Sequence, residues 1–256
     1  MVLSLPQLTV MQPFISEKRF KGLTYNLGCN MYPSNKTITQ PKRNITMLVK
    51  EAIEFGKIST GNTKMPGTTY AIDAFACNVG SKLRKVKGST CASCYAIKLQ
   101  KLRPSVDKGY KNNLAKFQRA NLIQWVDAMV FQLERYNVDG HHRWFDSGDL
   151  QSVDMLRAIS DVCKRTPDIK HWLPTREKGI VAEFTRFDVV PDNLVIRLSA
   201  AMVNGVPATG YAHTSTVHYK VDPIGTECLA YTRSNSCGDC RACWDKDVLN
   251  VSYKKH

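Results

Sequence analysis

The sequence predicts an α/β fold: a partial (β/α) barrel or open parallel sheet with a C-terminal cysteine-rich metal-binding appendage. Three observations carry this expectation. Between residues 66 and 221, β-prone segments alternate with amphipathic helical ones, the signature of βαβ units and a parallel sheet. Residues with chemical potential cluster just after the β-prone segments, where parallel α/β folds place their sites. The rhythm then stops at residue 222, and four cysteines follow within sixteen residues.

Residues 1–65 read as an irregular N-terminal extension packed on the core. Its one helix is expected over Asn44–Phe55, capped by Asn44. Thr69–Ala76 reads as a strand ending at Cys77, followed by a loop over 78–90. Cys91-Ala-Ser-Cys94 then opens a basic helix reaching Leu102. A second helix is expected over Asn112–Tyr136, where Leu114, Phe117, Leu122, Trp125, Met129 and Leu133 recur near helical spacing. His142–Phe145 follows as a strand, Asp146-Ser-Gly-Asp149 as a loop, and Ser152–Lys164 as a helix with Val153, Leu156, Ile159 and Val162 on one face. Ile169–Leu173 and Leu194–Leu198 read as further strands flanking a helix at Lys178–Phe187. The domain plan is thus an extension (1–65), an α/β core (66–221) and a cysteine-rich tail (222–256).

Of the 256 residues 43% are hydrophobic, enough to bury a substantial core and to exclude general disorder. No apolar run is long enough to cross a membrane, and the apolar start is broken by Pro6 and Pro13 without the basic head of a secretory signal. The chain therefore reads as cytoplasmic. In a reducing compartment, an odd count of nine cysteines points to metal ligands or reactive thiols rather than a disulfide framework.

The formal net charge is +14, and it is concentrated. Residues 78–126 hold eleven basic side chains against Asp107 alone. Lys82, Arg84, Lys85, Lys87, Lys98, Lys101 and Arg103 form its first part and are the candidate nucleic-acid contacts. A solvated basic face is the plainer reading of the same stripe.

Two cysteine groups are candidate metal sites. In the tail, Cys228, Cys237, Cys240 and Cys243 are spaced to converge on one centre, either tetrahedral zinc or an iron–sulfur cluster. Cys77, Cys91 and Cys94 form a group of three, one ligand short of four. That position is either open to solvent, substrate or cofactor, or closed by a residue such as Cys29, Cys163 or a histidine. His256 is a further candidate ligand, whereas Cys163 reads as core and His141, His142 and His213 as surface residues. The acidic loop ending in Asp149, the pair Arg176–Glu177, and Arg197 with Ser199 all follow expected strands. Together they suit an amino-acid-like ligand, the carboxylate taking an ammonium group and the arginine a carboxylate. Taken singly, Asp149 also reads as a helix cap, and Glu177 and Arg197 as surface charges. The chain shows no P-loop and no nucleophile elbow.

The runs Gly61-Asn-Thr-Lys-Met-Pro66, Ala76-Cys77-Asn-Val-Gly-Ser-Lys-Leu83 and Gly88-Ser-Thr-Cys91-Ala-Ser-Cys94-Tyr-Ala96 resemble bacteriophage proteins of the gene product 88 type. So do Arg143-Trp-Phe-Asp-Ser-Gly-Asp149 and Cys237-Gly-Asp-Cys240-Arg-Ala-Cys243-Trp244. This resemblance implies a phage origin, the cytoplasm of an infected cell and bound metal, but no particular reaction.

A more distant likeness is to radical S-adenosylmethionine enzymes, whose three cysteines after the first strand hold a [4Fe–4S] cluster. It implies that Cys77, Cys91 and Cys94 hold such a cluster. Ser147, Gly148 and Asp149 would meet the amino group of S-adenosylmethionine, and Arg197 and Ser199 its carboxylate or ribose. Tyr95 would stand in for the aromatic residue beside the last cysteine, and the tail group would match an auxiliary cluster. The departures are a thirteen-residue first gap where those enzymes have three, and Ser-Gly-Asp where they have Gly-Gly-Glu. The function expected is an iron–sulfur protein acting on nucleic acid or nucleotide. The alternative is a non-enzymatic, iron–sulfur- or zinc-stabilised nucleic-acid-binding or regulatory protein.

Overall fold

A computed structural model describes residues 46–61 and 64–255 of the chain. Seven strands form one open sheet: β1 (Thr68–Tyr70), β2 (His141–Trp144), β3 (Lys170–Thr175), β4 (Leu194–Val203), β5 (Thr214–His218), β6 (Thr226–Cys228) and β7 (Asn250–Lys254). Their spatial order is β1-β2-β3-β4-β5-β7-β6, and every neighbouring pair is parallel. β1 and β6 are the edge strands and do not pair with each other, so the sheet is open rather than a closed barrel. Five strands laid down in chain order advance the sheet in one direction, and right-handed crossovers then put the intervening helices on one face.

The helices among the described residues are α1 (Val49–Phe55), α2 (Asn78–Leu83), α3 (Tyr95–Leu102), α4 (Pro104–Arg119), α5 (Leu122–Tyr136), α6 (Val153–Arg165) and α7 (Lys178–Phe187). The main core joins α1 and α4–α7 to alternate residues of the strands. Ala52, Phe117, Trp125, Met129, Leu156, Ile159 and Phe184 meet Tyr70, Trp144, Leu173, Ile196 and Leu198 there. Burying such side chains contributes about 1.5–3 kcal/mol each. The helix expected from Asn112 to Tyr136 is two. Pro104 starts α4 at a position where its missing N–H costs nothing, and Asn121 restarts the chain as α5. The Asn121 carboxamide oxygen accepts from the Ile123 and Gln124 amides, at 3.0 and 3.3 Å. α1 begins at Val49, where the Glu51 carboxylate accepts from the Leu48 amide; Asn44 lies outside the described residues.

The tail is not an appendage. β6 and β7 hydrogen-bond into the same sheet, and the segment between them packs across the sheet face opposite the helices. Trp244 stands edge-on to Trp172 and to His141, at 5.2 and 5.3 Å, and donates its Nε1–H to the His142 carbonyl. Arg197, on the β4 face turned toward this segment, is completely buried. It donates to the carbonyls of Ala242, Cys243, Asp245, Val248, Leu249 and Thr214, at 2.8–3.5 Å. The polar, short β5–β7 gave no strand signal because their partners, not their own periodicity, bury them.

Candidate functional site

The C-terminal edge of the sheet gathers the first cysteine group. β1 passes into a 3₁₀ turn, Ala74–Ala76, which delivers Cys77 to the start of α2. The loop after α2 crosses to the end of β4. There the Thr90 amide donates to the Ala201 carbonyl at 2.9 Å, and Ser89 bridges Met202. That crossing returns Cys91 and Cys94 to the mouth of α3, whose helical residues begin at Tyr95. The loop expected over 78–90 therefore contains α2, a helix too short and glycine-bearing to show a period.

The three thiols lie close enough to act on one another. Burial first, then the charge of Asp149 and of the other two sulfurs, pushes the Cys77 thiol far up; Arg84 opposes this. Burial also raises Cys91, partly offset by the Arg176 guanidinium. Gly80 lies between two of the sulfurs. A Cβ there would fall 2.9 Å from Cys77 Cβ, 3.6 Å from its Sγ and 3.7 Å from Cys91 Sγ, so only glycine lets α2 pass this close to the two cysteines. None of the eight described cysteines is in a disulfide. As the side chains stand, no group of three or more Cys, His, Asp or Glu among the described residues is arranged to hold a metal ion. The donor chemistry of three neighbouring thiols nevertheless fits a sulfur-ligated group.

The neighbouring residues depart from their expected roles. Asp149 reaches this edge, but its oxygens are taken. Oδ1 accepts from Thr175 Oγ1 at 2.5 Å and from the Leu150 amide at 2.8 Å, and Oδ2 accepts from the Arg176 amide at 2.9 Å. It ties the end of β2 to the end of β3 instead of facing an ammonium group. Burial pushes its pKa up to about 6 against the pull of those donors. Ser147 is buried and donates toward Gln100 Oε1 at 3.4 Å. Gly148, at φ +84°, is required by the chain itself, because a Cβ would fall 2.8 Å from the Ile72 carbonyl oxygen. What approaches this glycine is β1's own continuation, not a ligand. Arg197 has every donor on a tail carbonyl, which leaves none for a cofactor carboxylate, and Ser199 Oγ accepts from Ser215 Oγ at 3.0 Å. Glu177 accepts from the Val79 amide at 2.8 Å, pinning α2. Cys29 and His256 lie outside the described residues.

Between the two cysteine groups stands Arg143, which sequence reasoning passed over. Its guanidinium lies 4.5 Å over the Trp172 ring and donates to the Tyr95 hydroxyl at 3.4 Å, while its Nε is buried without a partner. The Tyr95 hydroxyl in turn donates to the Asp146 carbonyl, while its ring stays exposed. An arginine alternating with buried His142 and Trp144 in a four-residue strand was the available signal. In the tail, burial and then the neighbouring Cys228 and Cys240 raise Cys237. Burial pushes Cys243 up to about 12, although the Tyr253 hydroxyl lies 3.2 Å from its sulfur. His142 and His171, by contrast, are fully buried on the helix side: Thr68 Oγ1 lies 2.8 Å from His142 Nδ1, and Thr166 Oγ1 lies 2.9 Å from His171 Nε2. The surface role expected of His142 is therefore corrected by its place in the core.

The fold and this edge define an open, singly wound parallel α/β protein with a three-thiol group after its first strand. Residues 47–246 match the family model described as gene product 88 (GP88), and the chain belongs to that family. No curated protein and no solved structure matches it. No helix among the described residues is long and apolar enough to cross a membrane.

Proposed function

We propose that this chain is a phage iron–sulfur protein whose Cys77, Cys91 and Cys94 hold a [4Fe–4S] cluster with one iron open to S-adenosylmethionine. The observation that supports this reading most is the approach of Cys77 to the Cys91–Cys94 pair, across a gap of thirteen residues, just beyond the C-terminal end of β1. Three thiolates leave one position free, which a structural zinc site does not. When bound, the cluster and its cofactor supply radical chemistry. The chain's own residues do the rest. Arg176 offsets negative charge beside Cys91, Asp149 fixes the ends of β2 and β3 beneath the thiols, and Glu177 holds α2 in place. Cys228, Cys237, Cys240 and Cys243 form the second proposed centre, as cluster or zinc ligands.

Metal and sulfide analysis of anaerobically purified protein tests the reading, with electron paramagnetic resonance of the reduced sample with and without S-adenosylmethionine. Iron and sulfide for at least one cluster, with a signal that shifts on adding the cofactor, are expected. Zinc alone, or a cluster signal indifferent to the cofactor, overturns the open-site reading in favour of a metal-stabilised binding protein.

A further inference from the structure

The cations of the basic stripe are displayed around the three-thiol edge. α2 and α3 both pack on the 3₁₀ turn Ala74–Ala76 that leads into Cys77. Lys82, Lys85, Lys87, Lys98, Lys101 and Arg103 are exposed on these helices and their flanks, and none forms an ion pair among the described residues. The only acid of the stripe, Asp107, is already engaged by Lys111 at 2.7 Å and by Gln100 Nε2 at 2.9 Å. Arg84 differs from the rest: it donates to the Ala74 carbonyl at 3.0 Å and lies 5.6 Å over the Phe75 ring.

Phe75 is the second observation. Its ring is 39% exposed, two residues from Cys77, and it lines a shallow cleft of about 290 Å³ with Gln100, Lys101, Pro104, Asp107 and Lys111. The cleft floor is fixed. Gln100 donates to Asp73 and Asp107 and accepts from the Ala74 amide, at 2.8–2.9 Å. Tyr95, Leu99 and Leu102 expose further apolar surface among the lysines of α3. Unpaired cations interleaved with exposed rings suit a single strand, whose phosphates meet the cations while its unpaired bases stack. A duplex would keep its bases away from those rings.

A larger cleft of about 450 Å³ at the far end of the sheet is the competing surface, and its chemistry is poorer for a polyanion. Its lysines lie over tyrosine rings, Lys220 and Lys255 on Tyr219 and Lys254 on Tyr231, and Asp222 and Glu227 line it.

We propose that the face formed by α2, α3 and the Phe75 cleft binds single-stranded nucleic acid, with one base stacked on Phe75 and the backbone along the unpaired lysines. As the substrate surface of the three-thiol edge, it rests on the function proposed above; as a binding surface, it does not need the metal.

The test is fluorescence anisotropy of a labelled mixed-sequence single-stranded oligonucleotide with the full chain, alongside metal analysis of the same preparation. For about five phosphate contacts, affinity should fall about a hundredfold between about 50 and 200 mM salt. Combining Lys82→Glu, Lys98→Glu and Lys101→Glu should weaken binding by more than about tenfold, whereas Lys220→Glu with Lys255→Glu should leave it unchanged. Phe75→Ala should cost about tenfold and Phe75→Trp should restore it, which a purely electrostatic contact would not do. No binding, preference for duplex or for an acidic polypeptide, or equal loss from both sets of lysine changes overturns the proposal. Because metal content is read separately, binding without iron would refute the cluster and leave this surface standing, and iron without binding the reverse.

Discussion

The two cysteine groups differ in how they are built. The tail places four cysteines within sixteen residues, so spacing alone brings them near one another. The first group spans a thirteen-residue gap and is assembled only because the loop after α2 travels to the end of β4 and back. Yet the first group has the close pass of Gly80 and the free cations around it, whereas the tail segment is bound down by Arg197 and Trp244, and Cys243 lies against Tyr253. Proximity in sequence made the tail the easier group to see. Backbone packing, not spacing, brings the group after β1 together.

The largest effect should come from the cysteines themselves. Under the proposed reading, Cys94→Ser should remove the iron of a cluster on Cys77, Cys91 and Cys94 and its response to S-adenosylmethionine, while Cys240→Ser should leave both. Equal loss from either change, read by metal analysis and spin resonance, would merge the groups into a single centre. Next is Arg197→Met, which removes the donor from five tail carbonyls and that of Thr214 in a buried setting and should cost about 4 kcal/mol in urea denaturation. Arg197→Lys should recover only part, since an ammonium cannot reproduce the planar fork. A loss below about 1 kcal/mol would mean that the tail is held elsewhere. Gly148→Ala strikes the other group: a left-handed position pressed against Ile72 should cost roughly 3 kcal/mol in the same denaturation measurement.

The smallest effect distinguishes the helix face from both cysteine groups. Burial holds His142 and His171 neutral in the folded protein, His171 down to about 3. The unfolded chain takes up protons below about pH 6.5 while the folded rings do not, so their contribution is full above that value and is lost as pH falls toward 3. Each ring should contribute a slope of up to about 1.4 kcal/mol per pH unit in that window. Denaturation curves at about pH 7 and pH 5 should therefore diverge less for His171→Gln than for the parent chain; an unchanged difference would place the acid sensitivity elsewhere.

Much of the fold was legible because its signals are local. The amphipathic stripe of α6, the segment Lys178–Phe187 and the strands around Trp144 and Leu173 follow from periodicity that each segment carries by itself. The break within the long expected helix was also written locally, in Asn121, but the continuous apolar pattern across it hid the signal. β5, β6 and β7 were not legible, because residues such as Ser215, Thr216 and Ser252 are buried by their neighbours and not by any pattern of their own.

The sequence by itself determined the α/β class, the stretch of positive charge and the two sets of thiols, since composition and short-range spacing are properties of the chain alone. Only the tertiary structure decided what each polar residue spends its hydrogen bonds on. It assigned Arg197 to the tail carbonyls, Asp149 to Thr175 and Arg176, and Gly148 to the close pass of Ile72. The physical reason is that a buried donor or acceptor must be satisfied by whatever the packing brings within about 3 Å, and that partner comes from a distant part of the chain.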